Sequence, residues 1–405
     1  MSKWLDVVGV TAKGLASLNS EQQQLVDDAE IVVGPPRSLP KLRGDDPRYV
    51  EWQAPLDNMI EQILSFSGKK TVILATGDPT WYGIGATLTR YIPLDEFEIH
   101  PAPSAFSLAA ARMKWPLQNT ACVSVHGRPV DLLNAHIVPG NRILALTSDA
   151  TTIEAIAKLL VRRKFGQSQM TILNAMGGDT ESKVEFTANA YESRGIGNLN
   201  TVAIDCVADE DAALLPPLPG LPDSAFVSDG QLTKREVRAA TLAKLVPLMG
   251  QHLWDIGAGS GSVGIEWMRA APRATATAFE KSTARIEMIK KNRDVLGTPG
   301  LKIVEGEAQA HLNEAPPMPD AIFMGGDVGN TELFDALWAA LKPGGRFVAN
   351  AVTLDGEAAL MQRLEQKGGD LARIDVSHLD HVGAHKVLRP KMTVTQWSIV
   401  KKADE

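Results

Sequence analysis

Cysteine is almost missing from this chain: Cys122 and Cys206 are the only two in 405 residues. Two thiols so far apart make neither a disulfide framework nor the paired spacing of a zinc site, and their scarcity points to a reducing compartment. Aromatic residues are sparse too, at 5%, and no basic stripe with interleaved rings marks a nucleic-acid surface. Positive charge is in deficit, with 41 Lys and Arg against 48 Asp and Glu and a net charge of -7. That balance supplies no overall field for nucleic acid or an anionic membrane, although a local basic pocket can still take an anion. No apolar run approaches the ~20 residues of a membrane span. Residues 1–6 lack the apolar core of a signal peptide, so the expected location is the cytoplasm. The remaining composition, 44% hydrophobic and 22% charged, is that of an ordinary globular protein long enough for two or three domains.

Strands and helices alternate along the whole chain, the signature of a wound parallel sheet and an α/β fold. Strand patterns cover Trp4–Val10, Ile31–Val33, Thr71–Ala75 and Phe97–Ile99. Helices are expected at Ser20–Ala29, with Ser20 as N-cap, and at the alanine-rich Ala105–Met113. The pattern resumes after Pro116, and residues 116–208 read as a second lobe of the first unit. Asp209-Glu210-Asp211 and the prolines from Pro216 to Pro222 then mark residues 209–225 as a linker. A second alternating series fills 226–405. It opens with a helix over Lys234–Leu248, and late strand-like segments at Ala372–Val376 and Val394–Val400 extend its sheet, with an antiparallel sense among the options. The two halves share no internal repeat.

The strongest local signal is Asp255-Ile256-Gly257-Ala258-Gly259-Ser260-Gly261, which follows a strand and precedes a helix. Glycines there let the backbone turn sharply and approach a ligand that a Cβ atom would block. By itself the run is ambiguous, because Gly259-Ser260-Gly261-Ser262-Val263-Gly264 also fits a dinucleotide fingerprint. Glu280, ending the next strand, suits a ribose hydroxyl under either reading. Three features favour a methyl donor. Asp255 puts a carboxylate where a pyrophosphate would be repelled. Glu307 and Ala308, in Gly306-Glu307-Ala308, follow the third strand where an adenine contact is expected. Leu341-Lys342-Pro343-Gly344-Gly345-Arg346 ends a helix and opens a strand. Together these resemble the class I, Rossmann-like methyltransferase fold.

In the first half, Gly77-Asp78-Pro79 follows an apolar strand, with Trp81, Tyr82 and Gly83 just beyond. Pro101-Ala102-Pro103-Ser104-Ala105 precedes a helix. Each is weak alone: a Gly-Asp-Pro run is most often a turn, and Ser104 is most often a helix cap. Together with Val8-Gly9-Val10, Asn174-Ala175 before Gly177-Gly178, and Leu199-Asn200-Thr201, they resemble the tetrapyrrole methylase family (class III methyltransferases) over roughly residues 3–208. The resemblance implies that Gly9, Gly77, Asp78, Tyr82, Ser104, Ala105 and Ala175 contact S-adenosylmethionine, as Asp255, Gly257, Gly259, Gly261, Glu280, Glu307 and Ala308 would in the second half. One departure is the first loop, Gly9-Val10-Thr11-Ala12-Lys13-Gly14, which lacks the family's Gly-Asp ending.

Joined in this order, a two-lobed tetrapyrrole-methylase domain (1–208) and a class I methyltransferase domain (226–405) resemble the fused methyltransferase-decarboxylases of cobalamin biosynthesis. The resemblance implies methylation of carbons 5 and 15 of a precorrin-6 intermediate with loss of carbon dioxide from the carbon-12 acetate, giving precorrin-8. It also implies two S-adenosylmethionine sites per chain and a homo-oligomer. A small-molecule tetrapyrrole bears many carboxylates, so basic side chains should line its pockets. Arg112 and Arg128 are candidates in the first half, and Lys234, Arg235 and Arg238 in the second. Thr233-x-x-Glu236 offers the last three a competing capping-box role. His378, His381 and His385 lack the spacing of a metal site, and Lys386, Arg389 and Lys391 read as a surface cluster. No acid catalyst stands out. The alternative is a class I methyltransferase acting on RNA or protein, with the first half as a recognition module.

Overall fold

The computed structural model describes residues 3–39, 46–193, 196–197, 199–312 and 317–402. The chain forms two compact units, residues 1–130 with 138–212, and residues 131–137 with 213–405.

The first unit holds two sheets. β1 (Leu5–Val10), β2 (Ile31–Gly34), β3 (Tyr49–Glu51), β4 (Thr71–Thr76) and β5 (Phe97–His100) form a parallel sheet in the order β3-β2-β4-β1-β5. Its central strands are apolar on both faces. Leu5, Val7 and Ile73 enter one core while Val8, Val10 and Leu74 enter another, as a sheet covered on both sides requires. The preceding helix is Ser20–Asp27. Its cap is Asn19 rather than the expected Ser20, because Asn19 and Gln22 complete a reciprocal capping box one residue earlier. The second sheet, β6 (Ala121–Ser124), β7 (Arg142–Leu146), β8 (Gln169–Asn174), β9 (Ser182–Thr187) and β10 (Asn200–Asp205), runs β6-β7-β10-β8-β9. Only its β6–β7 pair is parallel. Helix Ala105–Met113 packs Phe106 and Ala109 against Leu144, Leu173 and Ala203 of this sheet.

The second unit is built on seven strands: β11 (His252–Ile256), β12 (Thr275–Glu280), β13 (Lys302–Glu305), β14 (Ala321–Met324), β15 (Arg346–Ala351), β16 (Asp370–Ile374) and, after the separate hairpin β17 (Ser377–Val382) and β18 (His385–Pro390), β19 (Val394–Val400). Their order is β13-β12-β11-β14-β15-β19-β16, parallel except for β19, which is antiparallel to both neighbours. The order reverses between β11 and β14, and the crevice at that switch point is where open α/β sheets bind ligands.

The expected linker at 209–225 is not a free tether. Leu215, Leu221 and Phe226 are buried in the second unit's core. The amides of Gly220 and Leu221 donate to Glu266, and Arg269 donates to the Leu215 carbonyl at 2.7 Å. Proline content signalled a lack of regular structure, but interspersed leucines give the segment an apolar side to bury. Residues 131–137, expected in the second lobe of the first unit, belong instead with the second unit.

Candidate functional sites

In the second unit β11 ends at Ile256 and the chain turns through Gly257, Gly259 and Gly261, at φ of 68°, 60° and 76°. This left-handed region is costly for residues with a Cβ. The three glycines do different work. A Cβ on Gly257 or Gly259 would come no closer than 3.6 Å to Gly326 and 3.5 Å to the Gln231 carbonyl respectively, ordinary contact that displaces no protein atom. A Cβ on Gly261 would lie 3.0 Å from Ile289, so Gly261 serves the packing of the turn on helix Thr283–Val295.

Two carboxylates hold this turn. Glu280, at the end of β12 and buried, accepts the Gly259 amide at 2.9 Å and the Ser282 amide at 2.9 Å. Asp255 is buried beneath the turn, and its Oδ2 accepts the Gly264 amide at 2.9 Å. Its Oδ1 has no protein partner. Burial raises the Asp255 carboxyl to about 7, and the Glu280 charge adds to the rise against the Gly264 hydrogen bond. A buried carboxylate oxygen without a protein donor is an acceptor suited to a ligand's hydrogen-bond donor. Glu307 is exposed, starts the short helix Ala308–His311 and pairs with Lys281 at 3.6 Å. Ala308 packs partly buried against the core.

In the first unit the corresponding place is assembled from segments far apart in sequence. A Cβ on Gly9 would lie 2.4 Å from the Gly77 carbonyl oxygen and 2.6 Å from the Ala102 nitrogen. The structure therefore gives Gly9 a packing role. Protein backbone needs its missing side chain, where β1, the turn after β4 and the turn after β5 meet. Gly77, at φ 72°, donates to the Val10 carbonyl at 2.8 Å and faces Ser104. Asp78 is taken up by Thr80, accepting its amide at 2.8 Å and its hydroxyl at 2.7 Å, so it shapes the turn. Ser104 caps helix Ala105–Met113 through the Ser107 amide at 3.0 Å, the ordinary role of such a serine. The first-turn amides at Ala105 begin beside Gly77. Ala175 is left-handed at φ 42°, and a Cβ on Gly178 would lie 3.3 Å from that of Ala12. The turn after β8 thus reaches the first loop from the other sheet.

Comparison with known proteins agrees with this two-part geometry. Residues 5–190 match the family model for tetrapyrrole (corrin/porphyrin) methylases, and residues 224–401 match the model for the precorrin methyltransferase domain. A protein from a Sinorhizobium species named precorrin-6Y C(5,15)-methyltransferase [decarboxylating] is 44% identical, over 99% of this chain and 97% of its own. The protein of the same name from Mycobacterium tuberculosis is 35% identical over 98% of this chain and 99% of its own. The chain belongs to the precorrin-6Y C(5,15)-methyltransferase (decarboxylating) family. A Salmonella typhimurium cobalt-precorrin-6B C(15)-methyltransferase (decarboxylating) matches 40% of this chain at 33% identity, over 85% of its own length.

The relatives are named for precorrins, which makes the placement of the basic candidates informative. Arg238 is not available to a ligand. Its fully buried guanidinium pairs with Glu266 at 2.6 Å and Asp223 at 3.2 Å, donates to the Thr233 and Leu221 carbonyls, and lies 4.7 Å from the Phe226 ring centroid. The expected capping box also fails: Lys234 is the N-cap, without a side-chain cap bond, and Glu236 pairs with His378 at 3.4 Å. Lys234 donates to the Gly230 carbonyl at 3.0 Å, while Arg235 is exposed with no acidic partner among the described residues. Arg112 is engaged twice by Glu181, at 2.6 and 2.9 Å. That pairing, with the Gly177 amide, holds the Glu181 carboxyl down at about 2. Arg128 is exposed, has no acidic partner among the described residues and stacks over Tyr82 at 5.2 Å. Tyr82, at φ 56°, in turn faces Phe106, with ring centroids 5.9 Å apart.

Sequence reasoning missed several contributors. Gly325 donates to the Ile256 carbonyl at 3.1 Å, and Gly326 faces Gly257, so the turn after β14 forms the far side of the second crevice. Asp229 and Gln231, both bonded to Arg285, bring the Gln231 carbonyl beside Gly259. The doublet Gly325-Gly326 after an apolar strand was the available signal. Gln231 left none. No group of three or more His, Cys, Asp and Glu suited to a metal occurs among the described residues, nor does any helix long and apolar enough to cross a membrane.

Proposed function

We propose that this chain methylates carbons 5 and 15 of a precorrin-6 intermediate and decarboxylates its carbon-12 acetate, giving precorrin-8, with one S-adenosylmethionine pocket in each unit. The observation that carries the proposal is the relative named for this reaction, which matches 99% of the chain at 44% identity. The first unit would act at carbon 5. The second would act at carbon 15 and in decarboxylation, a division supported by the match of residues 224–401 to the precorrin methyltransferase domain and by the existence of a separate C(15)-methyltransferase (decarboxylating) that matches 40% of the chain.

The residues present fit the cofactor. In the second unit, the bare backbone of Gly257 and Gly259 lets a ligand lie close to the turn, the lone Asp255 Oδ1 offers an acceptor, and Glu280 stands where ribose hydroxyls are held in this fold. In the first unit the start of helix Ala105–Met113, which lies beside Gly77, would supply the corresponding contacts together with Ala175.

A sulfonium supplies an already activated methyl group, so the protein's main task is to align donor and acceptor carbon and to exclude water. Asp255 and Glu280 do this by fixing the glycine turn from below and from the side. Turns bonded from within hold their shape before the ligand arrives, which lowers the ordering cost of binding. The homo-oligomer implied by resemblance is part of the same proposal, and light scattering on the purified chain tests it.

The test is turnover of precorrin-6Y with labelled methyl donor, counting label by mass spectrometry and trapping carbon dioxide. Two labels and one carbon dioxide per product are expected. One label without carbon dioxide would remove the second unit's assignment.

A further inference from the structure

The carboxyl edge of the first parallel sheet carries two arginines on one short segment, Thr76–Tyr82, and neither has an acidic partner among the described residues. Arg37, in the turn after β2, donates to the Thr76 hydroxyl at 3.0 Å. Arg128, in the turn after β6, lies over the Tyr82 ring at 5.2 Å. Both guanidiniums are exposed, and the glycine turn of the proposed pocket lies between their anchoring points. This contrasts with Arg48, bound to Asp46, Arg112, bound to Glu181, and Arg142, 3.8 Å from Asp205.

We infer that Arg37 and Arg128 form a two-point clamp for peripheral carboxylates of the tetrapyrrole, setting which edge of the macrocycle faces the methyl donor in the first unit. The inference rests on the proposed carbon-5 methylation and adds the groups that orient its substrate.

Three features give the pair this role. A planar guanidinium matches a carboxylate with two parallel hydrogen bonds. A hydroxyl under one guanidinium and a ring under the other fix their positions without neutralising either charge, so both stay free for an anion. Tyr82 is itself held by a hydrogen bond to the Cys122 carbonyl at 3.3 Å and by its contact with Phe106 on the capped helix. Arg128 is therefore tied to the elements that border the cofactor pocket. A macrocycle gripped at two separated carboxylates is fixed in rotation as well as position, which a single contact cannot achieve.

The experiment measures carbon-5 methyl formation from precorrin-6Y by the full chain, with a 13C-labelled methyl donor, for wild type, Arg37→Ala, Arg128→Ala and the two lysine variants. Both arginines are exposed, so the alanine variants should fold. Each alanine variant is expected to raise KM for precorrin-6Y about ten- to a hundredfold, the worth of a hydrogen bond to a charged group. Lysine should recover part of the loss, and KM for S-adenosylmethionine should not move. A KM for precorrin-6Y within twofold of wild type in either alanine variant overturns the clamp. Wild type that forms no carbon-5 methyl product overturns the underlying reading as well, so the two failures are distinguishable.

Discussion

The two glycine turns reach similar ends by opposite means. In the second unit one contiguous run, residues 255–261, carries almost the whole turn, with Glu280 as its brace. In the first unit Gly9, Gly77, Ala102 and Gly178 come from four stretches, joined only by the fold. The contrast predicts different responses to the same substitution. Where a glycine's Cβ would make only ordinary contacts, adding a side chain should cost ligand and spare the fold. Where it faces backbone, the fold itself should fail.

The largest effect is expected at Gly9. Its Cβ would sit well inside contact distance of two backbone atoms, so Gly9→Ala should destabilise the first unit by about 4–5 kcal/mol, at the upper end for a point change. Urea unfolding followed by a probe in the first unit measures this. Next comes Arg238→Ala, which strands Glu266 without its buried partner. A loss of about 3–4 kcal/mol in the second unit is expected. A stable Arg238→Ala protein with weakened tetrapyrrole binding would return Arg238 to the substrate. Gly259→Ala should cost only about 1 kcal/mol of stability, from its left-handed backbone. A loss as large as that at Gly9 would erase the distinction between the two turns.

A further prediction concerns pH. The Asp255 carboxyl titrates near 3.8 when free and near 7 in the fold, chiefly because burial disfavours its charge. Between those values the folded chain binds the extra proton. Stability of the ligand-free second unit should therefore fall as pH rises from about 4 to 7 and level off above. Asp255→Asn can still accept from the Gly264 amide, and should flatten that slope in melting curves taken across the range.

Legibility in the sequence followed the same division. The alternating pattern was enough for two α/β units and for late strands extending the second sheet, because strand periodicity is a local property, but it left their sense open. Asp255, the three glycines and Glu280 were found because they lie within a strand-turn-strand stretch. Gly9's partners were not legible: its crowding arises from Gly77 and Ala102, nearly 70 and 93 positions away. Arg238 looked like a candidate for substrate carboxylates because its partner Glu266 lies on another helix, out of reach of a local pattern. Prolines 216–222 resembled a tether because proline content reports missing regular structure, whereas Leu215 and Leu221 decide burial only once a core exists to receive them. Arg37 was overlooked for the same reason, since only the folded turn brings it to Thr76.

The central claim is that each unit holds its own methyl-donor pocket. Isothermal calorimetry of S-adenosylmethionine binding to the full chain, wild type and Gly259→Val, tests it most directly. Two sites in wild type and one in a folded Gly259→Val protein are predicted. A single site in wild type, or the loss of every site in a folded variant, would contradict the account.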